Sequence, residues 1–148
     1  MGHDNDKFFV MSVQHTGTRF LVDLLDCKGA HVQHIHGVEG EKMEGRQIVV
    51  PLRHPRAIAE SWHNRGKSCM DLVERFDELM AYEGDYHVVT LDTLEREAQL
   101  AELGEFKTNW KPIGHYNGRA RWNETFQNGY DLLIEKHGDW FRKYYKDV

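Results

Sequence analysis

The chain has 148 residues, with 19 Lys+Arg against 24 Asp+Glu, 10 His, 3 Pro and two cysteines, Cys27 and Cys69. At 40% hydrophobic and 29% charged it is no disordered composition, and no apolar run approaches the roughly 18 residues a membrane span requires. Its length suits one domain with its own core over 1–148. The formal charge of −5 argues against a nucleic-acid binder. The two cysteines make neither a disulfide framework nor a zinc spacing.

The charge is unevenly spread. Residues 1–65 carry 8 basic and 8 acidic groups, residues 66–103 carry 3 and 10, and residues 104–148 carry 8 and 6. The acid lies in the middle, and both flanking segments are open to an anion. The first residues, Met1-Gly2-His3-Asp4-Asn5-Asp6, are acidic and polar where a signal peptide is basic, so a cytoplasmic setting is expected.

In chain order, Phe8-Phe9-Val10-Met11-Ser12-Val13 is apolar on both parities and predicts a strand buried on both faces of a parallel sheet. A polar turn, Gln14 to Thr18, breaks it. Phe20, Leu21, Leu24 and Leu25 then recur at helical spacing, with Gly29 placed to end that helix. A short strand is expected at Ala30–Ile35 and a stronger one at Gln47–Leu52, where Pro51 stops the ladder. Pro55 fits the first turn of the next helix, which carries Ala57, Ile58, Ser61 and Trp62 and stops near Gly66. Leu72, Val73, Phe76, Leu79 and Met80 form another apolar stripe, Tyr86–Leu91 another strand, and Thr93–Leu103 a helix ended by Gly104. Residues 105–121 read as irregular, and Glu124–Tyr145 as a helix interrupted at Gly138. Strands alternating with helices predict an α/β fold, a three-layer, mostly parallel sheet of about four to five strands flanked by helices. Ligands then bind at the carboxyl ends of the strands.

The turn Ser12-Val13-Gln14-His15-Thr16-Gly17-Thr18-Arg19 joins the first strand to the first helix. Backbone N–H groups at a helix start, with a glycine permitting close approach, make an anion site, to which two hydroxyls and Arg19 add donors and charge. The plainer alternative is a tight turn with Thr16 or Thr18 as helix cap. The nucleoside-triphosphate pattern G-x-x-x-x-G-K-[ST] is not met. Ser12 stands for its first Gly, Thr18 for its Lys and Arg19 for its metal-holding hydroxyl, so an ATP-dependent phosphotransferase is disfavoured.

His15-Thr16-Gly17-Thr18-Arg19-Phe20-Leu21 does resemble the sulfate-donor loop of sulfotransferases that use 3′-phosphoadenosine 5′-phosphosulfate (PAPS), with His15 where that family has lysine. A second match follows the next buried strand. Arg53 and, eight residues on, Ser61 stand where the family binds the donor's 3′-phosphate, an Arg fork and a hydroxyl being apt for that group. A third lies in His115–Phe126, where Trp122 and Phe126 keep the family's Trp-x-x-x-Phe spacing while Arg119 and Arg121 are displaced from its register. The resemblance spans Phe8 to Phe126 and implies a short, P-loop NTPase-like member of the family. By that resemblance the donor is PAPS and the product adenosine 3′,5′-bisphosphate (PAP). No metal is required, and the partners are the nucleotide and a hydroxyl- or amine-bearing acceptor. His15, Thr16, Gly17, Thr18, Arg19, Arg53, Ser61, Arg119, Arg121 and Trp122 would bind the donor.

Sulfuryl transfer to an alcohol needs a base, and histidine titrates in the right range. His31, His34 and His36 fall in or after the second expected strand, where the family often carries its catalytic histidine. On a strand, His34 and His36 would share one face with His31 on the other. His36, before Gly37, is the candidate base and His34 the reserve. Solvated or satisfied histidines are the plainer reading, and a metal held by His34 and His36 a lesser one. His15 is the second catalytic candidate, since a protonated imidazole there would face the leaving oxygen and a neutral one would weaken its stabilisation. A non-catalytic nucleotide- or anion-binding module on the same fold is the alternative.

Overall fold

A computed structural model of the chain describes residues 6–104, Phe106 and residues 122–148. Four strands, β1 (Phe8–Ser12), β2 (Lys28–His31), β3 (Gln47–Leu52) and β4 (His87–Thr90), form an all-parallel sheet in the order β2-β1-β3-β4. Side chains alternate across it. Phe9, Met11, Ile48, Val50 and Leu52 pack on one face with α3 (Pro55–Asn64), α4 (Cys69–Met80) and α6 (Glu124–Arg142). Phe8, Val10, Val49 and Val89 pack on the other with α1 (Thr18–Leu25) and α5 (Arg96–Ala101). This is the three-layer arrangement the alternating pattern predicted, and every residue of β1 is buried because the sheet is covered on both sides.

The second strand differs from expectation. β2 ends at His31, a 3-10 turn occupies Val32–His34, and a short helix, α2, runs from Val38 to Lys42. His31 pairs with Ser12, the last residue of β1, so no backbone lies alongside to extend the ladder beyond it. His34 and His36 therefore share no strand face. Nor does Gly29 end α1. Asp26 does, at φ 49° and ψ 48°, its N–H turned back to the carbonyls of Asp23 and Val22. Gly29 lies inside β2, where a Cβ would stand 2.9 Å from both the Val10 carbonyl oxygen and Val22 Cγ2, so close approach to β1 is what requires glycine there.

Other boundaries shift by a few residues, as helix and strand ends do. α6 runs unbroken through Gly138, which is buried in its packed face, and that packing outweighs the roughly 1 kcal/mol a helical glycine costs. The β1–β3 ladder ends at Val10–Val49, while β3 stays paired with β4 as far as Leu52–Thr90. Pro51, lacking an N–H, thus has only β4 alongside. The strand order reverses between β1 and β3, which places a crevice beyond their carboxyl ends. Among the described residues no helix is long and apolar enough to cross a membrane.

Candidate functional site

The loop after β1 is closely braced. Thr16 is buried and its hydroxyl donates to the Val13 carbonyl at 2.7 Å. The Thr18 hydroxyl donates to Ser12 Oγ, also at 2.7 Å. Neither threonine caps α1. Gly17 does, at φ 99° and ψ 27°, with no side chain on the first N–H groups, a left-handed geometry that glycine accepts without steric cost. His15 is left-handed as well, at φ 67°, which costs a non-glycine residue energy and marks a site held by its surroundings.

Those surroundings come from the far end of α3. Trp62 Nε1 donates to the Gln14 carbonyl at 3.0 Å, Arg65 Nε to His15 Nδ1 at 3.1 Å, and Lys67 Nζ to Gln14 Oε1 at 3.0 Å. Gln14 Nε2 in turn lies 3.4 Å from His31 Nδ1. Lys67 has only donors, so it fixes the Gln14 amide with oxygen toward itself and nitrogen toward His31. The same logic sets His15. Arginine only donates, so Nδ1 carries the lone pair, and the proton of the neutral ring sits on Nε2, a buried atom with no hydrogen-bond partner.

Between this loop, α1 and the end of α3 lies a cleft of about 740 Å³, lined among others by His15, Thr18, Arg19, His31, Arg65 and Lys67. Asp23 is the one acidic residue among its described lining residues. Arg46, Arg75, Lys136 and Arg142 each pair with a carboxylate, whereas among the described residues Arg19, Arg65 and Lys67 pair with none. The excess positive charge is felt by the histidines. Burial, then Arg65, Lys67, His31 and Arg53, pushes His15 down from 6.5 to about 4. Burial, then His34 and Lys67, also lowers His31. His15 is therefore neutral at pH 7.

Arg53 reaches the loop from beneath, with Nη1 3.5 Å from the His15 carbonyl oxygen and its buried Nε without a hydrogen-bond partner. The turn that carries it is anchored. The His54 N–H donates to Asp92 Oδ2 at 2.8 Å, and the Tyr145 hydroxyl donates to Asp92 Oδ1 at 2.5 Å. His54 also caps α3, its Nδ1 accepting from the Arg56 N–H at 3.2 Å, which leaves Nε2 as donor to Asp147 Oδ1 at 3.2 Å. Burial and the adjacent Asp92 raise Tyr145 far above the usual phenol range, so it stays a donor.

The structure thus brings His15, Gly17, Thr18 and Arg19 to the cleft and sets Arg53 against the loop behind it. Thr16 serves as an internal brace. Ser61, one residue before Trp62 on α3, is half-buried and does not line the cleft. His36 is exposed and lines a separate groove with Met43 and Tyr82, while His34 is exposed too. Trp122 packs with Phe126 and Tyr130, ring centroids 5.0 and 5.2 Å away, under the Arg56 guanidinium at 4.8 Å. Arg119 and Arg121 lie outside the described residues. The sequence named His31 in its histidine cluster and Gln14 in the loop without singling out either, and Arg65 and Lys67 were not picked out at all. Arg65-Gly66-Lys67 was visible as a basic pair flanking the glycine that stops α3, with nothing in the linear order to link it to residue 15. Among the described residues no three His, Cys, Asp or Glu side chains gather as a metal-binding set.

No protein-family model matches the chain, and no curated protein or solved structure matches it.

Proposed function

We propose that the chain is a sulfotransferase that moves a sulfuryl group from PAPS to a hydroxyl or amine acceptor. The observation that carries the reading is the cleft beyond the carboxyl ends of β1 and β2, where Arg19, Arg65 and Lys67 gather without a carboxylate partner among the described residues. Uncompensated cations around a helix start favour a bound oxyanion, and 740 Å³ falls within the range of small-ligand pockets. In the reaction the acceptor oxygen or nitrogen bonds to sulfur as the sulfur–oxygen bond to the donor phosphate breaks. The acceptor's proton passes to a base, and negative charge collects on the phosphate oxygen left behind.

His31 takes the place assigned to His36 as base. It lines the cleft, its lowered pKa keeps it neutral at pH 7, and among the described residues its Nδ1 lone pair is engaged only by the long 3.4 Å contact with Gln14. Arg53 remains the candidate for the 3′-phosphate, without support for Ser61 beside it. Thermal stabilisation tests the binding half of the proposal. Millimolar PAP should raise Tm by several degrees, since saturation at 100 times Kd contributes about 2.7 kcal/mol, and no shift would overturn it. The catalytic half is read by PAP release from PAPS across a panel of alcohols, sugars and amines.

One observation favours a second reading, a nucleotide- or anion-binding module without turnover. His15 stands at the family's lysine position and is neutral at pH 7, so that position supplies no cation to the departing oxygen. That reading predicts PAP binding with no sulfated product, and any sulfated product excludes it.

A further inference from the structure

We propose that Arg65 and Lys67, beyond the end of α3, form the charged half of the oxyanion site and hold a doubly charged phosphate or sulfate group against the Thr18–Arg19 end of α1. This rests on the reading of the cleft given above and assigns it residues outside every loop motif.

Three observations support it. First, both cations are aimed by the loop and, among the described residues, by no carboxylate. Arg65 is tied through Nε to His15 at 3.1 Å, and Lys67 through Nζ to Gln14 at 3.0 Å, with its ammonium 5.0 Å from the centroid of the Trp62 ring. Each bond uses one donor and leaves the others for a ligand: the Arg65 terminal nitrogens and two Lys67 protons. Second, the geometry runs in one direction. An arginine and a lysine each spend a donor on a neutral loop acceptor, and among the described residues neither is paired with a carboxylate. Two positive charges therefore face a cleft whose one acidic lining residue among these is Asp23. Third, both line the same cleft as Thr18 and Arg19, which places cations on two sides of one space. A tetrahedral dianion has oxygens to meet both sides, and charge-assisted bonds to it are the strong class. Burial and the neighbouring cations hold His15 neutral, which keeps its Nδ1 lone pair available to Arg65. His15 is then a positioning residue that aims the guanidinium, and its position needs no positive charge of its own.

The test is calorimetric titration of the full chain with PAP and, separately, with inorganic sulfate. Arg65→Gln, Lys67→Gln and the double variant are compared with wild type and with Lys143→Gln, an exposed residue at the end of α6. Circular dichroism and Tm establish that each variant is folded. Each single substitution is expected to weaken binding roughly tenfold or more, the double variant to abolish measurable sulfate binding, and Lys143→Gln to bind as wild type does. Arg65→Lys should recover only part of the loss, because a lysine lacks the fork that reaches both His15 and the ligand. Wild-type binding that survives unchanged in the folded double variant overturns this assignment and leaves the cleft's proposed function standing. Absence of wild-type binding to either probe overturns the proposed function itself, and this assignment with it.

Discussion

Tyr145→Phe removes one oxygen and leaves the ring that packs edge-on to His54, centroid to centroid 5.2 Å. The lost hydroxyl donates to Asp92, a carboxyl only 1% exposed, whose other oxygen accepts from the His54 N–H at 2.8 Å. Leaving a buried polar group short of a partner costs about 1–3 kcal/mol. For a chain of 148 residues each kcal/mol is worth roughly 2–4 °C, so Tm should fall by about 2–12 °C. Differential scanning calorimetry reads the shift, and urea titration should show a lower midpoint at unchanged slope. The substitution should also weaken PAP binding, because Asp92 and Tyr145 fix the turn that sets Arg53 against the His15 carbonyl. A Tm change under 1 °C would refute the reasoning, since it would mean that the buried carboxyl does not depend on the tyrosine.

Three other outcomes are expected. Folded His15 titrates near 4 against 6.5 in the unfolded chain, so the unfolded state binds more protons in that window and stability is lost as pH falls from 6.5 toward 4. Solvent screening of a half-buried ring reduces the contribution to about 1 kcal/mol. His15→Gln should flatten that part of the stability profile in urea titrations at stepped pH. Thr16→Val keeps the shape but strips the Val13 carbonyl of its 2.7 Å buried donor, and should cost about 1–2 kcal/mol by chemical denaturation. Cys27 and Cys69 are buried and free, their thiols raised by burial to about 11 and about 12. Both should resist a disulfide reagent in the native state and react fully in denaturant.

What was legible in the sequence was what local pattern controls. Phe8–Val13 and Gln47–Leu52 announce buried parallel strands because both of their faces are apolar. Pro55 announces a helix start because its ring suits that position, and the structure puts it there. The break between β1 and α1 was legible from the polar, glycine-containing run Gln14 to Thr18. The placement of the histidines on a strand was misread because register is a tertiary property. β2 stops where β1 stops, which puts His31 in the cleft and His36 on another surface, and nothing within residues 28–37 marks that limit. Arg65 and Lys67 were out of reach for a related reason. Their bonds to His15 and Gln14 span 50 and 53 positions, and only the packing of α3 brings them together. Gly138 shows the reverse case, where a residue that weakens an isolated helix is carried by the packing of Phe126, Leu133 and Phe141 of the same helix into the core.

The central claim, that this cleft binds the nucleotide of sulfuryl transfer, is tested most directly by a crystal structure of the chain soaked with PAP. A phosphate is expected within hydrogen-bond distance of Arg19, Arg65 and Lys67, beside the start of α1. Nucleotide bound away from these residues, or a cleft left empty at millimolar PAP, would contradict it.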